Sequence, residues 1–155
     1  MNKIVKYPNP ILRKKATEVK ELSEEIKKLA GDMIEIMIES QGIGLAAPQI
    51  GESKRIIVVQ MEKGPQVFIN PKIIAKSKEK ELMEEGCLCF PKLFLEIKRA
   101  KKVQIEAVTI AGEKVRIEAE GLLAHIFQHE VDHLDGILFI DRVSFSRKLW
   151  RLLKI

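Results

Sequence analysis

The chain has 155 residues, of which 46% are hydrophobic and 32% are charged, and its formal net charge is +5. This length and composition exclude a disordered chain and predict one globular domain over residues 1–155. Because the longest apolar runs, such as residues 56–59, span only a few residues, we expect no membrane-spanning helix. The first residues also lack the apolar segment of a secretory signal, so we expect a cytoplasmic protein.

The positive charge is concentrated at the end of the sequence. Residues 142–155 contain no acidic residue and five basic ones, which are Arg142, Arg147, Lys148, Arg151 and Lys154. The rest of the chain has 22 basic and 22 acidic residues. This basic tail favours a local anionic partner, with an ordinary solvent-exposed helix end as the alternative. The sequence has no zinc-finger spacing and no basic groove with interleaved aromatic residues, so sequence-specific nucleic-acid binding is not expected.

The first predicted element is an N-terminal amphipathic helix over residues 23–39. Ser23 is a favourable N-cap, and Glu24 and Glu25 follow it in the first turn. Apolar residues then recur at helical spacing, namely Ile26, Leu29, Ala30, Met33 and Met37. Gly42-Ile43-Gly44 breaks this pattern.

The middle of the chain is strand-like. Residues 55–61 and 66–69 predict two strands, the second of which ends at Pro71. Apolar and polar residues alternate over residues 103–107 and again over residues 115–119, on either side of an Ala111-Gly112 turn. This pattern predicts a hairpin with one buried face and one solvent-exposed face.

A second helix is predicted from near Gly121 to about Leu134. It is apolar on most sides, which is typical of a central, buried helix. A short C-terminal helix of about two or three turns is expected over residues 145–155. Strands and helices are segregated along the chain, so the predicted fold class is α+β, with largely antiparallel sheets around the buried helix.

The buried helix contains the sequence His129-Glu130-Val131-Asp132-His133, an H-E-x-x-H motif. Residues four apart lie on one face of a helix, so His129 and His133 can bind one metal ion. Glu130 then lies beside the metal, where its carboxylate can exchange protons with a reacting water. The alternative is a helix with two structural histidines.

A catalytic metal site needs a third protein ligand and one open position. No Glu, His or Cys follows His133, which argues against the two known protease versions of the motif. The third ligand is therefore expected upstream, at Cys87 or Cys89. If this segment is extended, both thiols point to the same face, and the spacing does not choose between them.

Three segments together resemble the motifs of the peptide deformylase family, in the family's order. They are residues 42–49 (GIGLAAPQ), residues 85–88 (EGCL) and residues 128–134 (QHEVDHL). Residues 7–13 (YPNPILR) and Asp141-Arg142 also resemble the family, so the similarity covers essentially the whole chain. H-E-x-x-H alone occurs in many proteases, whereas the three motifs together are specific.

The resemblance implies a metal-dependent hydrolase that removes the N-formyl group from the N-formylmethionine of newly made polypeptides. Cys87, His129 and His133 would bind the metal, and Glu130 would be the general base and acid. The side-chain amide of Gln49 and the backbone N–H of Leu88 would stabilise the oxyanion. The implied metal is one Fe²⁺ per chain, with Zn²⁺, Ni²⁺ or Co²⁺ as substitutes. In the family the C-terminal helix is associated with docking on the ribosome, but the tail here is short for the bacterial type.

Glycines in the first two motifs allow the backbone to approach a substrate closely. An extended peptide could pair with the chain near residues 43–45 and Gly86 as an added strand. The expected substrate-binding residues are Ile43, Gly44, Gly86, Leu122, His125 and Ile126. Of these, Ile43, Leu122, His125 and Ile126 would form the walls of a methionine-sized pocket together with Leu88; for the apolar members, plain core packing is an equal alternative.

Two residues depart from the family pattern. Cys89 stands where the family usually has Ser, and a second thiol there could compete as a ligand, speed oxidation or have no effect. His125 stands where an apolar residue is common. Its possible roles are a pocket residue, a residue supporting the metal ligands, or a histidine on the helix surface, and the sequence favours the helix surface.

Two rival functions remain open at this point. A metallopeptidase would use the same metal and water chemistry but would cleave unformylated peptides. A zinc-stabilised, non-catalytic module would close the site with four ligands, for example with both Cys87 and Cys89.

Overall fold

The computed structural model describes residues 4–143, which form two helices, seven strands and three short 3₁₀ segments. The predicted C-terminal helix and residues 144–155 of the basic tail lie outside the described residues. Within the described range, no helix has the length and apolar character that crossing a membrane requires. The α+β class predicted from the sequence is confirmed.

Helix α1 covers Glu24–Glu39, as the N-cap and the apolar spacing predict. The side chain of Ser23 accepts a hydrogen bond from the backbone N–H of Ile26 at 3.2 Å, which satisfies one of the free donors of the first turn. The face formed by Leu29, Met33 and Met37 is buried. The amphipathic pattern therefore places α1 against the sheet.

Five strands form an antiparallel sheet in the order β1-β2-β3-β6-β7. Their ranges are β1 (Gly44–Ala46), β2 (Ile56–Met61), β3 (Gly64–Lys76), β6 (Lys102–Val108) and β7 (Lys114–Glu120). Strands β6 and β7 form the predicted hairpin, with Ile105 opposite Ile117. Because β1 pairs only with β2 within the described range, it forms one edge of this sheet.

Strand β3 differs from the prediction, because it does not end at Pro71. It continues to Lys76, and the register with β6 shifts between Ile69 and Lys72. Asn70 has a φ of 51° at this irregularity, and Pro71 follows it. The bulge accommodates the proline, which has no N–H to donate, so the strand passes through it.

Strands β4 (Lys80–Cys87) and β5 (Phe90–Ala100) form a separate antiparallel hairpin. Leu88 and Cys89 connect them, and Cys87 pairs directly with Phe90. The segment around the two cysteines is therefore a tight turn at the end of a strand rather than a continuous extended chain.

Helix α2 covers Leu122–Leu134, and eleven of its residues, from Ala124 onward, are buried. Alternate residues of β2 point to opposite faces of the sheet, and each face packs against a different helix. Ile57 and Val59 pack in a cluster with α2, whereas Ile56 and Val58 pack in a cluster with α1. The five-stranded sheet thus lies between the two helices, and the β4–β5 hairpin contributes to a third cluster that contains Cys89.

Candidate metal and catalytic site

Three side chains could together hold a metal ion. Cys87 ends β4, and His129 and His133 lie one turn apart on α2, with ring centroids 5.1 Å apart. Their ligand atoms all lie within 4.8 Å of one another, and Cys87 Sγ lies 3.4 Å from His133 Nε2. The structure thus brings together two histidines and one of the two candidate cysteines.

Glu85 fixes the orientation of His129. Its carboxylate Oε1 lies 2.9 Å from His129 Nδ1. Burial raises the pKa of Glu85, but hydrogen bonds from His129 and Arg99, with the charge of Arg99, lower it to about 2. An ionised carboxylate only accepts, so His129 Nδ1 carries the hydrogen and leaves Nε2 free for a metal.

Glu85 belongs to a buried chain of charges. Arg99 donates to Glu85 Oε2 at 2.6 Å and to Asp132 Oδ2 at 2.9 Å. Arg142 in turn donates to both oxygens of Asp132, at 2.7 and 3.0 Å. The network therefore links α2 to β4, to β5 and to the start of the basic tail.

Glu130 is buried beside the three candidate ligand residues. Its Oε1 has no hydrogen-bond partner within residues 4–143. Burial raises the pKa of Glu130 to about 7, even though the charge of His129 opposes this shift. A carboxyl group with a pKa near neutrality can both take up and release a proton.

Gly44 leaves the space that the side chain of Glu130 occupies. A Cβ added to Gly44 would meet Glu130 Oε2 at 2.6 Å and Ile126 Cγ2 at 3.0 Å. Only a residue without a side chain lets edge strand β1 approach α2 so closely.

Gln49 lies within a 3₁₀ segment, Ala47–Ile50, which directly follows β1. Its Oε1 accepts a hydrogen bond from the backbone N–H of Ala46 at 2.8 Å, so its Nε2 faces the cysteines. That nitrogen lies 3.7 Å from Cys87 Sγ and 3.6 Å from Cys89 Sγ. Leu88 lies in the adjoining turn, where its carbonyl accepts from Lys6 Nζ at 3.1 Å.

A cavity of about 550 Å³ opens beside these residues. Glu130, His129, Cys87, Gln49 and Leu88 line one side of it. All of the predicted substrate-binding residues line it as well, namely Ile43, Gly44, Gly86, Leu122, His125 and Ile126. The structure therefore gathers the proposed catalytic and substrate-binding residues around one space.

The prediction that His125 lies on the helix surface is wrong. Its side chain is only 2% exposed, and its Nδ1 lies 3.1 Å from Glu85 Oε2. The physical reason is that α2 is buried on nearly all sides from Ala124 onward, so a residue one turn before His129 faces the same carboxylate.

The donor set fits a catalytic metal ion. One thiol sulfur and two imidazole nitrogens are a combination that binds Fe²⁺ or Zn²⁺ and leaves a position open. His133 Nδ1 has no hydrogen-bond partner within the described chain. Burial lowers the pKa of His133, which favours the neutral, ligating form of its imidazole.

Sequence reasoning missed the buried charges around the site. Glu85 lies inside the second motif, directly before Gly86-Cys87, but its partner Arg99 is separated from it by 14 positions. The available sequence signal was the spacing of Leu95, Ile97 and Arg99 at every second position. In a strand this spacing places the arginine on the same face as the two apolar residues, and that face of β5 is buried.

The chain was compared with known proteins. The family model of polypeptide deformylase matches residues 1–149. A peptide deformylase of Thermotoga maritima is 45% identical over 149 residues, covering 96% of this chain and 91% of that protein. One of Desulforudis audaxviator is 47% identical over 148 residues, covering 94% and 96%. The crystal structure of a Synechococcus elongatus peptide deformylase with actinonin superposes with a TM-score of 0.93, at 37% identity, and covers 99% of this chain and 85% of that one.

Proposed function

We infer the activity of this chain from its family, since it belongs to the polypeptide deformylase family. It is a metal-dependent hydrolase that removes the N-formyl group from newly made polypeptides. The observation that best supports this function is that buried Glu130 lines one cavity with Cys87 and His129, two of the three residues that could hold a metal ion.

We propose Cys87, His129 and His133 as the metal ligands. A formamide is planar and resonance-stabilised, and the chemistry that a bound divalent cation supplies is Lewis-acid polarisation and activation of water. The family resemblance favours one Fe²⁺ per chain, with Zn²⁺, Ni²⁺ or Co²⁺ as substitutes. Sulfur and imidazole donors support this choice, because they suit these ions better than Mg²⁺ or Ca²⁺.

Glu130 is proposed as the general base and acid. Its carboxylate takes a proton from the attacking water and returns it to the amine nitrogen as the C–N bond of the formamide breaks. Formate and a peptide with a free amino terminus are the products. Two supports for this role are the burial of Glu130 and its Oε1, which has no hydrogen-bond partner among residues 4–143.

Gln49 and Leu88 are proposed to stabilise the oxyanion. The hydrogen bond from Ala46 to Gln49 Oε1 turns Nε2 toward Cys87, where an N–H can meet the developing negative charge. Leu88 contributes its backbone N–H from the adjoining turn. Donors that are held in place before the reaction need no reorganisation when the charge develops.

The substrate is proposed to bind as an added strand. Strand β1 is an edge strand, and Gly86 lies on β4 across the same cavity. The first side chain of the peptide would enter the pocket formed by Ile43, Leu122 and Ile126. Ile43 and Leu122 are 49% and 57% exposed, so apolar surface is available to that side chain.

We further propose that residues 1–155 form a single catalytic domain in the cytoplasm, where newly made chains are available. Ribosome contact through the basic tail is also proposed, although Arg142 is already bonded to Asp132. The sequence of the tail contains four further basic residues. Co-sedimentation with ribosomes should weaken when Arg147, Lys148, Arg151 and Lys154 are all changed to Gln, and unchanged binding would contradict the contact.

The function is tested by product analysis on formyl-Met-Ala-Ser. Protein prepared without oxygen and loaded with Fe²⁺ or Ni²⁺ should release formate and intact Met-Ala-Ser, and Glu130→Gln should not. Release of free methionine from the unformylated peptide would instead identify a metallopeptidase. A protein that holds one metal ion but forms neither product would favour the closed zinc module.

A further inference from the structure

Cys89 lies close to the proposed catalytic residues but outside the group that could hold a metal ion. Within the described residues, that group consists of Cys87, His129 and His133. Cys89 is 1% exposed and packs in a cluster with Leu12 and Phe139. Its thiol is therefore buried behind the cavity, and its polar contacts are with the side chains of Gln49 and Cys87.

The side-chain amide of Gln49 is held at two points. Its Oε1 accepts from Ala46 N–H at 2.8 Å, which also settles which end of the amide carries the nitrogen. Its Nε2 has two hydrogens and lies near two sulfur atoms, at 3.6 Å from Cys89 and 3.7 Å from Cys87. Of the two cysteines, Cys87 lines the cavity, whereas Cys89 packs in the buried cluster behind it.

This arrangement has a direct consequence for the proposed oxyanion donor. One N–H of Gln49 must remain satisfied when the other turns to the formyl oxygen, because an unpaired buried donor costs free energy. Cys89 Sγ is the acceptor placed for that first N–H. This contact holds the nitrogen end of the amide, whereas the hydrogen bond from Ala46 holds only the oxygen end. Together the two contacts fix the rotation of the amide group about its last side-chain bond.

We propose that Cys89 is a positioning residue for Gln49: it accepts one Nε2–H of the amide and so aims the other N–H at the substrate carbonyl. The inference rests on the proposed deformylase function. Cys89 touches neither substrate nor metal in this role, and it acts only through Gln49.

The backbone around Cys89 is built to hold the thiol at this place. Its carbonyl accepts from Tyr7 N–H at 3.0 Å, and the preceding carbonyl of Leu88 accepts from Lys6 Nζ. Two contacts from the N-terminal segment thus fix the turn between β4 and β5. A thiol on a fixed turn gives the amide a fixed acceptor.

The test compares Cys89→Ala with Cys89→Ser in the metal-loaded protein. Ala and Ser have nearly the same volume, so the pair isolates the hydrogen-bond acceptor from packing. We expect Cys89→Ala to lower kcat for formyl-Met-Ala-Ser about tenfold with little change in KM, a fraction of what losing an oxyanion donor costs. Cys89→Ser should restore kcat to within about threefold, because its hydroxyl also accepts a hydrogen bond.

A double-mutant cycle with Gln49→Leu decides whether Cys89 acts through the amide. In the Gln49→Leu protein, adding Cys89→Ala should change kcat less than about twofold, since residues in one network are not additive. Metal content and the urea unfolding midpoint are measured for every variant, so that loss of metal or of folding is recognised.

Equal activities of the Ala and Ser variants, or a tenfold effect that persists without Gln49, would overturn the inference while leaving deformylation intact. Loss of bound metal in Cys89→Ser would also overturn it, because Cys89 would then be a ligand. A metal-loaded wild-type protein that releases no formate would overturn the proposed function, and this inference with it.

Discussion

Two groups of paired charges in this protein differ in burial and in partners. On the hairpin, Arg116 of β7 donates to Glu106 of β6 at 2.7 Å, and their side chains are 62% and 48% exposed. Beneath α2, Arg99 lies between Glu85 and Asp132 with 4% of its side chain exposed. Water screens the first pair, so it contributes little to stability, whereas the second group is stable only while every member has its partner.

The comparison shows where the chain uses charge for function. The exposed pair could be absent without consequence for the fold. The buried group has one carboxylate hydrogen-bonded to His129, a proposed ligand, and another carboxylate one residue before His133. Its cost in desolvation is offset by an ordered set of hydrogen bonds that hold α2 in one position.

The largest expected effect comes from removing the buried arginine. Arg99→Met would leave Glu85 and Asp132 without that partner in the interior and should lower the free energy of unfolding by about 3–5 kcal/mol. Urea unfolding of the metal-free protein measures this change. The matched control, Arg116→Met on the hairpin, should leave the unfolding midpoint unchanged within error. Similar losses in the two variants would contradict the comparison.

The next effect concerns metal affinity. Glu85→Gln keeps the shape of the side chain but removes the charge that orients His129 Nδ1–H, and it should weaken metal binding about 10–100-fold. Competition with a chelator of known affinity measures the change. Glu106→Gln serves as control and should bind metal like the wild type. Undiminished affinity in Glu85→Gln would show that His129 is oriented without this carboxylate.

A smaller effect on stability is expected when glycine is replaced by alanine, and the effect should differ between two positions. Gly44→Ala forces a Cβ against Glu130 and should destabilise the protein by about 1–3 kcal/mol while also lowering kcat. Gly31→Ala on α1 meets no atom within 4 Å and should stabilise the protein by about 0.5–1 kcal/mol. Thermal unfolding and deformylation assays test both variants. An active, stable Gly44→Ala protein would mean that β1 does not need its close approach to α2.

Local signals in the sequence predicted the helices and the hairpin well. Ser23 and the apolar spacing placed α1, and alternation on either side of Ala111-Gly112 placed β6 and β7. These features depend on neighbours a few positions apart, which the sequence displays directly. The bulge at Asn70 and Pro71 was missed, because a strand can pass a proline only where its partner strand allows a shift of register.

The candidate site was predicted in its residue types, but not in its contacts. The H-E-x-x-H motif and the three family motifs pointed to Cys87, Glu130 and Gln49, and these line one cavity. The sequence did not show that His125 faces Glu85, or that Cys89 faces Gln49, since each contact joins positions about 40 residues apart. Such contacts depend on how α2 and the β4–β5 hairpin pack, and no local pattern records that packing.

X-ray absorption spectroscopy of the Co²⁺-loaded protein tests the central claim most directly, namely that Cys87, His129 and His133 bind the metal while Cys89 does not. The account predicts one sulfur and two imidazole nitrogens around the metal, with the remaining ligands being oxygen. The spectrum should be unchanged in Cys89→Ser and should lose its sulfur in Cys87→Ser. Two sulfur ligands in the wild type, with one lost in Cys89→Ser, would contradict the account and identify a closed site.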